Sequence, residues 1–233
     1  LTTDQVAAME TADSVAMTSA QVAAMTTAQV VALTTDQVST LTTAQIAAFT
    51  TAQLLQMETD DIAAITTEQI AALKSALVAT LTTDQVVALS SAQISNLSTT
   101  QLASLSAKQL ASMETADLAA ITTTNITGLT SKQLSALTTA QVVALTTDQV
   151  SLMSSEQLRG LGATQVASLG TDQIVALGSD QMSAVTSAGI ASLSTGQLQA
   201  IETRDVNMLG TGQVWGLTSV QVGALTTGQV SVL

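Results

Sequence analysis

The sequence predicts an all-α fold, an α-solenoid or superhelix of very short capped helices with one helix per eight-residue repeat. Three observations predict it. The chain repeats one octad, T-T-x-Q-V-x-A-L, from end to end. The two apolar positions of the octad lie three residues apart, and its first four residues have the form of a helix capping box.

The octads follow one another without a gap. Counted from Thr2, the chain holds 29 octads, and Leu1 fits the last position of a preceding one. We therefore predict a single continuous repeat array over 1–233, taken from a longer protein. Eleven of the twelve glycines lie from Gly160 onward, which we interpret as drift within the array rather than as a second domain.

Positions 5 and 8 of the octad predict the buried face. Position 8 is a large apolar residue in every octad, and position 5 is aliphatic or Met in all but one, where it is Ser14. Residues three apart share a helix face, whereas they point to opposite faces of a strand. The spacing therefore favours helices over a β-solenoid, although the many Thr and Val residues would suit strands.

One uninterrupted helix is excluded by the period of eight. Eight residues advance a helix by about 800°, which is about 80° more than two full turns. The apolar pair would wind around the axis and never form a stripe. We therefore predict a helix over positions 2 to 7 and a corner in each octad.

Positions 1 to 4 predict where each helix starts. In the pattern T-x-x-Q, the Thr hydroxyl accepts from the amide three residues on, and the Gln side chain reaches back to the Thr amide. All 17 acidic residues lie at positions 1, 3 or 4, where the positive end of the helix dipole favours them.

Some octads recur in nearly the same form seven octads further along the chain. The octads at 26–33, 82–89 and 138–145 all read T-T-[AD]-Q-V-V-A-L. Two interpretations stay open: block duplication of the gene, or a superhelical turn of seven octads.

Composition excludes several classes of function. The net charge of −12 argues against nucleic acid and anionic membrane surfaces as partners, and no apolar run is long enough for a membrane span. The chain has no Cys and no His, and no phosphate-binding or dinucleotide-binding motif. Without a base beside a nucleophile, we expect no enzyme activity and no catalytic residues.

Four Glu/Asp pairs are the candidate cation sites. Wherever position 1 is Glu, position 4 is Asp. Two carboxylates at a helix start could share a Ca²⁺ ion, the one cofactor considered, or could simply form a variant cap favoured by the dipole. The pairs are Glu10 and Asp13, Glu58 and Asp61, Glu114 and Asp117, and Glu202 and Asp205.

Phrases such as "LTTDQVVA" at 81–88 and "LTTAQIAAF" at 41–49 resemble the repeat tracts of large secreted or surface proteins of bacteria, the adhesin-like repetitive exoproteins. The resemblance implies a structural or adhesive role at a bacterial cell surface or in the extracellular matrix. It carries no catalytic residue to this chain. The Gly/Asp nonapeptides that would link such a tract to calcium are missing.

Three classes of function remain from the sequence. The first is a structural array that forms an extended rod or filament and self-associates, end to end or laterally. The second is an adhesive or recognition scaffold for a protein or polysaccharide. The third is an ice- or cation-binding surface, suggested by the dense threonines. Positions 3 and 6 vary most but hold mainly small residues, which favours the structural array.

Overall fold

The computed structural model describes residues 1–233 and confirms the all-helical fold. Every octad forms one helix of four to six residues, and the structure contains no strand. The chain divides into two compact units, unit 1 over 1–121 and unit 2 over 122–233. Each unit is a stack of short helices.

Unit 1 contains fifteen helices. They are α1 (Thr3–Ala7), α2 (Thr11–Ala16), α3 (Ser19–Ala23), α4 (Thr27–Val31), α5 (Thr35–Thr40), α6 (Thr43–Ile46), α7 (Thr51–Gln56), α8 (Thr59–Ala64), α9 (Thr67–Ala72), α10 (Ser75–Val78), α11 (Thr83–Val87), α12 (Ser91–Ser95), α13 (Thr99–Ser104), α14 (Ala107–Ser112) and α15 (Thr115–Ala120).

Unit 2 contains fourteen helices. They are α16 (Thr123–Ile126), α17 (Ser131–Ser135), α18 (Thr139–Ala144), α19 (Thr147–Ser151), α20 (Ser155–Arg159), α21 (Ala163–Ser168), α22 (Thr171–Val175), α23 (Ser179–Ala184), α24 (Ser187–Ser192), α25 (Thr195–Ala200), α26 (Thr203–Val206), α27 (Thr211–Trp215), α28 (Ser219–Ala224) and α29 (Thr227–Val230).

Each helix starts at a capping box wherever the sequence supplies one. In α11, Thr82 has an extended backbone and its hydroxyl accepts from the Gln85 N–H, while the Gln85 side chain accepts from the Thr82 N–H. The same full box, with Thr or Ser at position 1 and Gln at position 4, starts 18 helices. The predicted caps are confirmed.

The corner between helices needs no unusual backbone. At the end of α13, the Leu105 N–H donates to the Leu102 carbonyl at 3.2 Å, which tightens the last turn. Leu105 and the next N-cap, Ser106, then both have extended backbone angles. No residue in the chain has a positive φ, so the corners do not depend on glycine.

In both units, most helices pack on the helix three positions along the chain, which lies in the next turn of the solenoid. In unit 1, α5 packs on α8 and α12 on α15; in unit 2, α20 packs on α23 and α21 on α24. Hydrogen bonds between turns join residues 25 to 31 apart, which is more than three octads and less than four. A turn of seven octads is therefore wrong; seven octads span about two turns.

The core consists of positions 5 and 8, as predicted. In the octad of α11, Val86 is fully buried and Leu89, which follows the helix, is 3% exposed. The one polar residue at position 5, Ser14, is also fully buried, and its hydroxyl donates to the Glu10 carbonyl. Away from the first and last turns, where side chains such as Val222 and Val230 are exposed or only partly buried, the apolar pair of each octad is buried, so each short helix shares its burial with the turns on either side.

Replacing Leu89 by Ala is expected to lower the free energy of unfolding by about 2–5 kcal/mol, because the buried side chain leaves a cavity. Val87, two residues away, is 42% exposed, so Val87→Ala is the matched control and should change stability by about 0.5 kcal/mol or less. Urea titrations of both variants measure the difference. Equal effects would contradict the assignment of position 8 to the core.

Candidate functional site

The most distinctive polar feature is the side chain of Gln at position 4, which bonds in two directions. The Gln85 carbonyl oxygen accepts from the Thr82 N–H at 2.9 Å, within its own helix start. The Gln85 amide nitrogen donates to the carbonyls of Leu54 and Met57, at 2.8 and 3.0 Å, one turn earlier. We call this arrangement a glutamine bridge.

Glutamine bridges recur in both units with the same donor, the amide nitrogen, and with acceptors 28 to 31 residues earlier. They include Gln37, Gln45, Gln53, Gln69, Gln85, Gln93, Gln101 and Gln109 in unit 1, and Gln157, Gln165, Gln173, Gln181, Gln197, Gln213, Gln221 and Gln229 in unit 2.

The bridging glutamines are buried, with Gln85 3% exposed and Gln37 1% exposed. A buried amide is costly unless both its oxygen and its nitrogen find partners. The octad supplies an N–H to the oxygen, and the preceding turn supplies carbonyls to the nitrogen. No buried side-chain polar atom in the structure lacks a partner. The bridge therefore joins helix capping to the stacking of turns.

The four Glu/Asp pairs replace this bridge. In each pair the Glu is an exposed N-cap that makes no side-chain capping bond. The Asp takes the Gln position, exposed in the case of Asp13 and buried in the other three, Asp61, Asp117 and Asp205. The two carboxylates thus lie in different environments, one in water and one in most cases inside the stack.

Two of the buried aspartates are bonded to serine hydroxyls one turn earlier. Ser91 donates to the Asp117 carboxylate at 2.6 Å, and Ser179 donates to Asp205 in the same way. Each serine stands 26 residues before its aspartate, at position 2 of its octad. Arg204 adds a further partner at the last pair, 2.9 Å from Glu202 and 3.6 Å from Asp205.

Asp61 is a buried carboxyl with a raised pKa. Burial, together with the neighbouring charges of Glu58 and Asp60, raises the pKa of Asp61 to about 6, and a hydrogen bond with the Glu58 backbone opposes the rise. The helices packed against α8, which are α5 and α11, each carry one more aspartate, Asp36 and Asp84. Ionised Asp61 also has no proton to donate where glutamine donates in other octads.

The structure brings no three acidic side chains together in an arrangement that could hold a metal ion. Ca²⁺ usually takes six to eight oxygen ligands, so a Glu/Asp pair would supply few of them. At one pair, Asp61 bonds to the Glu58 backbone, the interaction that glutamine makes in a capping box.

Sequence reasoning predicted the capping half of the glutamine bridge and missed the half that joins turns. It also missed the Ser–Asp bonds. One signal was present in the sequence: Asp117 and Asp205 each have Ser, rather than the commoner Thr, 26 residues earlier. The meaning of that spacing depends on the number of residues per turn.

Two surface features lie outside the glutamine bridges and the Glu/Asp pairs. A shallow groove in unit 2 is lined by Ser131, Lys132, Glu156 and Arg159 among others, and so contains two of the five basic residues. Trp215 is 84% exposed, so its ring packs little against the protein. No helix has the length and apolar character needed to cross a lipid bilayer.

Fold and repeat together define a class: a tandem-repeat protein whose helical octads stack as a solenoid. Models of the ALTTAQ repeat match residues 6–43, 54–91, 110–147, 135–163, 150–187 and 198–233. These matches cover most of the chain, which therefore belongs to the ALTTAQ repeat family. A search of characterised proteins found none that matches it.

Replacing Gln85 by Ala should lower the free energy of unfolding by about 3 kcal/mol, because buried carbonyls and an amide lose their partners. Gln5 is the matched control, since it is exposed and caps its own helix. Gln5→Ala should cost about 1 kcal/mol, the usual value of a lost cap. Thermal and urea unfolding would measure both. A similar small loss in the two variants would contradict the role of the bridge between turns.

Replacing Asp61 by Asn should stabilise the protein near neutral pH. Because burial raises the pKa of Asp61 from 3.8 to about 6, the folded state binds the proton more tightly than the unfolded state. The stability gained by protonation is therefore complete below about pH 4 and is lost as the pH rises through about 6. Above that range, Asp61→Asn should gain about 1–2 kcal/mol after allowance for solvent screening.

Urea titrations across this pH range check the prediction. The variant should lose its advantage as the pH falls toward 4. Asp148→Asn removes the same charge from an exposed site and should change stability by about 0.5 kcal/mol or less. An advantage of Asp61→Asn that did not change with pH would argue against a raised pKa.

Proposed function

We propose that the chain is a structural, non-catalytic repeat array that acts by shape and length. It would form an extended rod, or the wall of a filament, at a bacterial cell surface or in the extracellular matrix. The observation that carries the proposal is the glutamine bridge. The most regular polar groups of the octad, the Thr hydroxyl and the Gln amide, are bonded within the fold.

The residues at positions 3 and 6, outside the core, also support a structural role. Positions 3 and 6 hold mainly Ala, Ser, Thr, Asp and Val, which vary little in size from one turn to the next. Recognition surfaces are usually richer in large aromatic and Arg side chains, and this chain has one Trp and two Arg. A uniform side surface favours self-association, because the same contact can repeat at every turn.

The location at a bacterial surface is supported by the resemblance of the octad to repeat tracts of secreted and surface proteins. Helices that each bury their apolar pair against neighbouring turns suit such a role, because repeats can be added without altering the fold of those already present.

A recognition scaffold is the second candidate, and the groove beside Lys132 and Arg159 favours it. In a chain of net charge −12, two cations at one groove could bind an anionic group of a protein or polysaccharide. Glu156 also lines this groove and weakens its positive potential. For that reason the structural array remains the main proposal.

Particle length should scale with the number of octads. A variant in which residues 82–137 are duplicated gains seven octads, which is about two turns. Small-angle scattering should show a longer particle with an unchanged cross-section, and sedimentation should show self-association at micromolar concentration for both chains. A compact, strictly monomeric particle that binds one specific ligand would instead support the recognition scaffold.

A further inference from the structure

Helix α10 departs from the octad pattern at both of its capping positions. Its octad, 74–81, has Lys74 at position 1 and Leu77 at position 4, where most octads have Thr or Ser and Gln. Lys74 makes no side-chain capping bond, and a cation at the start of a helix opposes the helix dipole. The start of α10 therefore lacks the local stabilisation that a capping box gives to the neighbouring helices α9 and α11.

The glutamine bridge is also missing at α10. By the spacing of the other bridges, a glutamine in place of Leu77 would donate to the carbonyls of Ile46 and Phe49, 31 and 28 residues earlier. A leucine side chain has no donor, so neither carbonyl receives a bond from it. The bridges from the octads on either side, at Gln69 and Gln85, are both present. The interruption is therefore one octad wide.

Packing between turns weakens at the same place. From α4 onward, every other helix of unit 1 packs closely on the helix three before it, whereas α10 does not pack closely on α7. Leu77 is buried, so the octad keeps its apolar contribution to the stack. Apolar burial is non-directional, however, and does not replace bonds that join two particular turns. We call the boundary between α10 and the preceding turn the α10 seam.

The opposite side of α10 is well bonded. Helix α10 packs on α13, in the following turn. Ser104 donates to the Ser75 carbonyl at 3.0 Å, which joins these two helices. The Gln109 amide donates to the carbonyls of Ala79 and Leu81 at 3.2 and 2.6 Å. Because α10 is bonded to the turn that follows it and weakly held to the turn before it, a separation of turns should run along the α10 seam.

Two other octads without glutamine show how a missing bridge is compensated. Helix α8 has Asp61 at position 4, and it packs closely on α5. Helix α24, in unit 2, has Gly189 at that position, and the Gly189 N–H donates to the Thr186 hydroxyl at 3.1 Å. Ser192 then donates to the Ala163 carbonyl of the preceding turn at 2.8 Å. In α10 the cap, the bridge and the packing on the preceding turn are all reduced together.

We propose that the interior of unit 1, helices α4 to α14, opens first at the α10 seam, and that the seam is a built-in yield point of the array. Local openings begin where few buried contacts and few hydrogen bonds have to break. The role as a yield point rests on the proposed structural function, because a rod that is stretched or bent would release strain at one defined turn and keep its bridged turns intact. The opening itself does not depend on that function.

Hydrogen exchange tests the opening directly. The Val78 N–H donates to the Lys74 carbonyl, and the Val86 N–H makes the equivalent bond to the Thr82 carbonyl in the next octad. Both valines are fully buried, so their amides are matched reporters. In the parent chain, the amide of Val78 should exchange at least about tenfold faster than that of Val86. Equal or slower exchange at Val78 would overturn the proposal.

Restoring the octad pattern should close the seam. The double variant Lys74→Thr and Leu77→Gln begins T-S-A-Q, as the octad at 18–25 does. It supplies both the cap and the amide donor, so exchange at Val78 should slow by about tenfold. Lys74→Thr alone is the matched control, since it restores the cap without the bridge and should slow exchange less. Unchanged exchange at Val78 in a folded double variant would contradict the seam.

The reverse change serves if the double variant does not fold. Gln85→Leu places the same defect in α11, where it removes the bridge to Leu54 and Met57. Exchange at Val86 should then become about tenfold faster, with a much smaller change at Val78. Exchange at Val86 that did not change would show that a missing bridge does not govern opening, and the proposal would be wrong.

Single-molecule stretching tests the role in the array. With handles at residues 1 and 233, the parent chain should show its first extension step at a lower force than the folded double variant. Equal first-step forces would overturn the yield point. Particle length that failed to scale with octad number would instead overturn the proposed structural function, and the faster exchange of Val78 would still stand, so the two failures are distinguishable.

Discussion

The structure depends on one repeated interaction: the buried glutamine amide at position 4 of the octad bonds in two directions. A four- to six-residue helix has too few hydrogen bonds to be stable alone, and two apolar side chains bury little surface without neighbours. The glutamine bridge addresses both problems. Its oxygen completes the start of its own helix, as at Gln85, and its nitrogen bonds the end of a helix one turn earlier. Local helix formation and the stacking of turns are therefore coupled through the same residue.

Departures from glutamine at position 4 show how the repeat tolerates change. Asp61, Asp117 and Asp205 bring a carboxyl into the stack at a site where the other octads have a neutral amide donor. Ser91 supplies a hydroxyl to Asp117, whereas Asp61 is held by a backbone bond and has a raised pKa. A carboxyl at this position can therefore be held by a hydroxyl of the preceding turn, as at Asp117, or can make the stability of its turn sensitive to pH, as at Asp61.

The proposed function follows from where the polar groups are used. Hydroxyls and amides that would otherwise be free to bind a ligand are largely occupied inside the repeat, and the exposed positions are mostly small. The residues that vary on the outside include charges at position 3 and a few apolar residues at position 6, such as Leu55 and Val143. The surface is regular over most of its length, and this regularity supports the proposal that identical chains assemble.

By itself the sequence determined the local structure: one helix per octad, the capping boxes and the burial of positions 5 and 8. These features depend on residues within one octad, such as Thr82, Gln85 and Leu89, whose relation is set by helix geometry. Only the tertiary structure decided how many octads form a turn, that Gln85 reaches Leu54, and that Ser91 meets Asp117. Those contacts join residues 31 and 26 apart, and small differences in the backbone angles of each corner, added over several corners, decide which residues meet. The octapeptide pattern contains no information about the total angle that several corners produce.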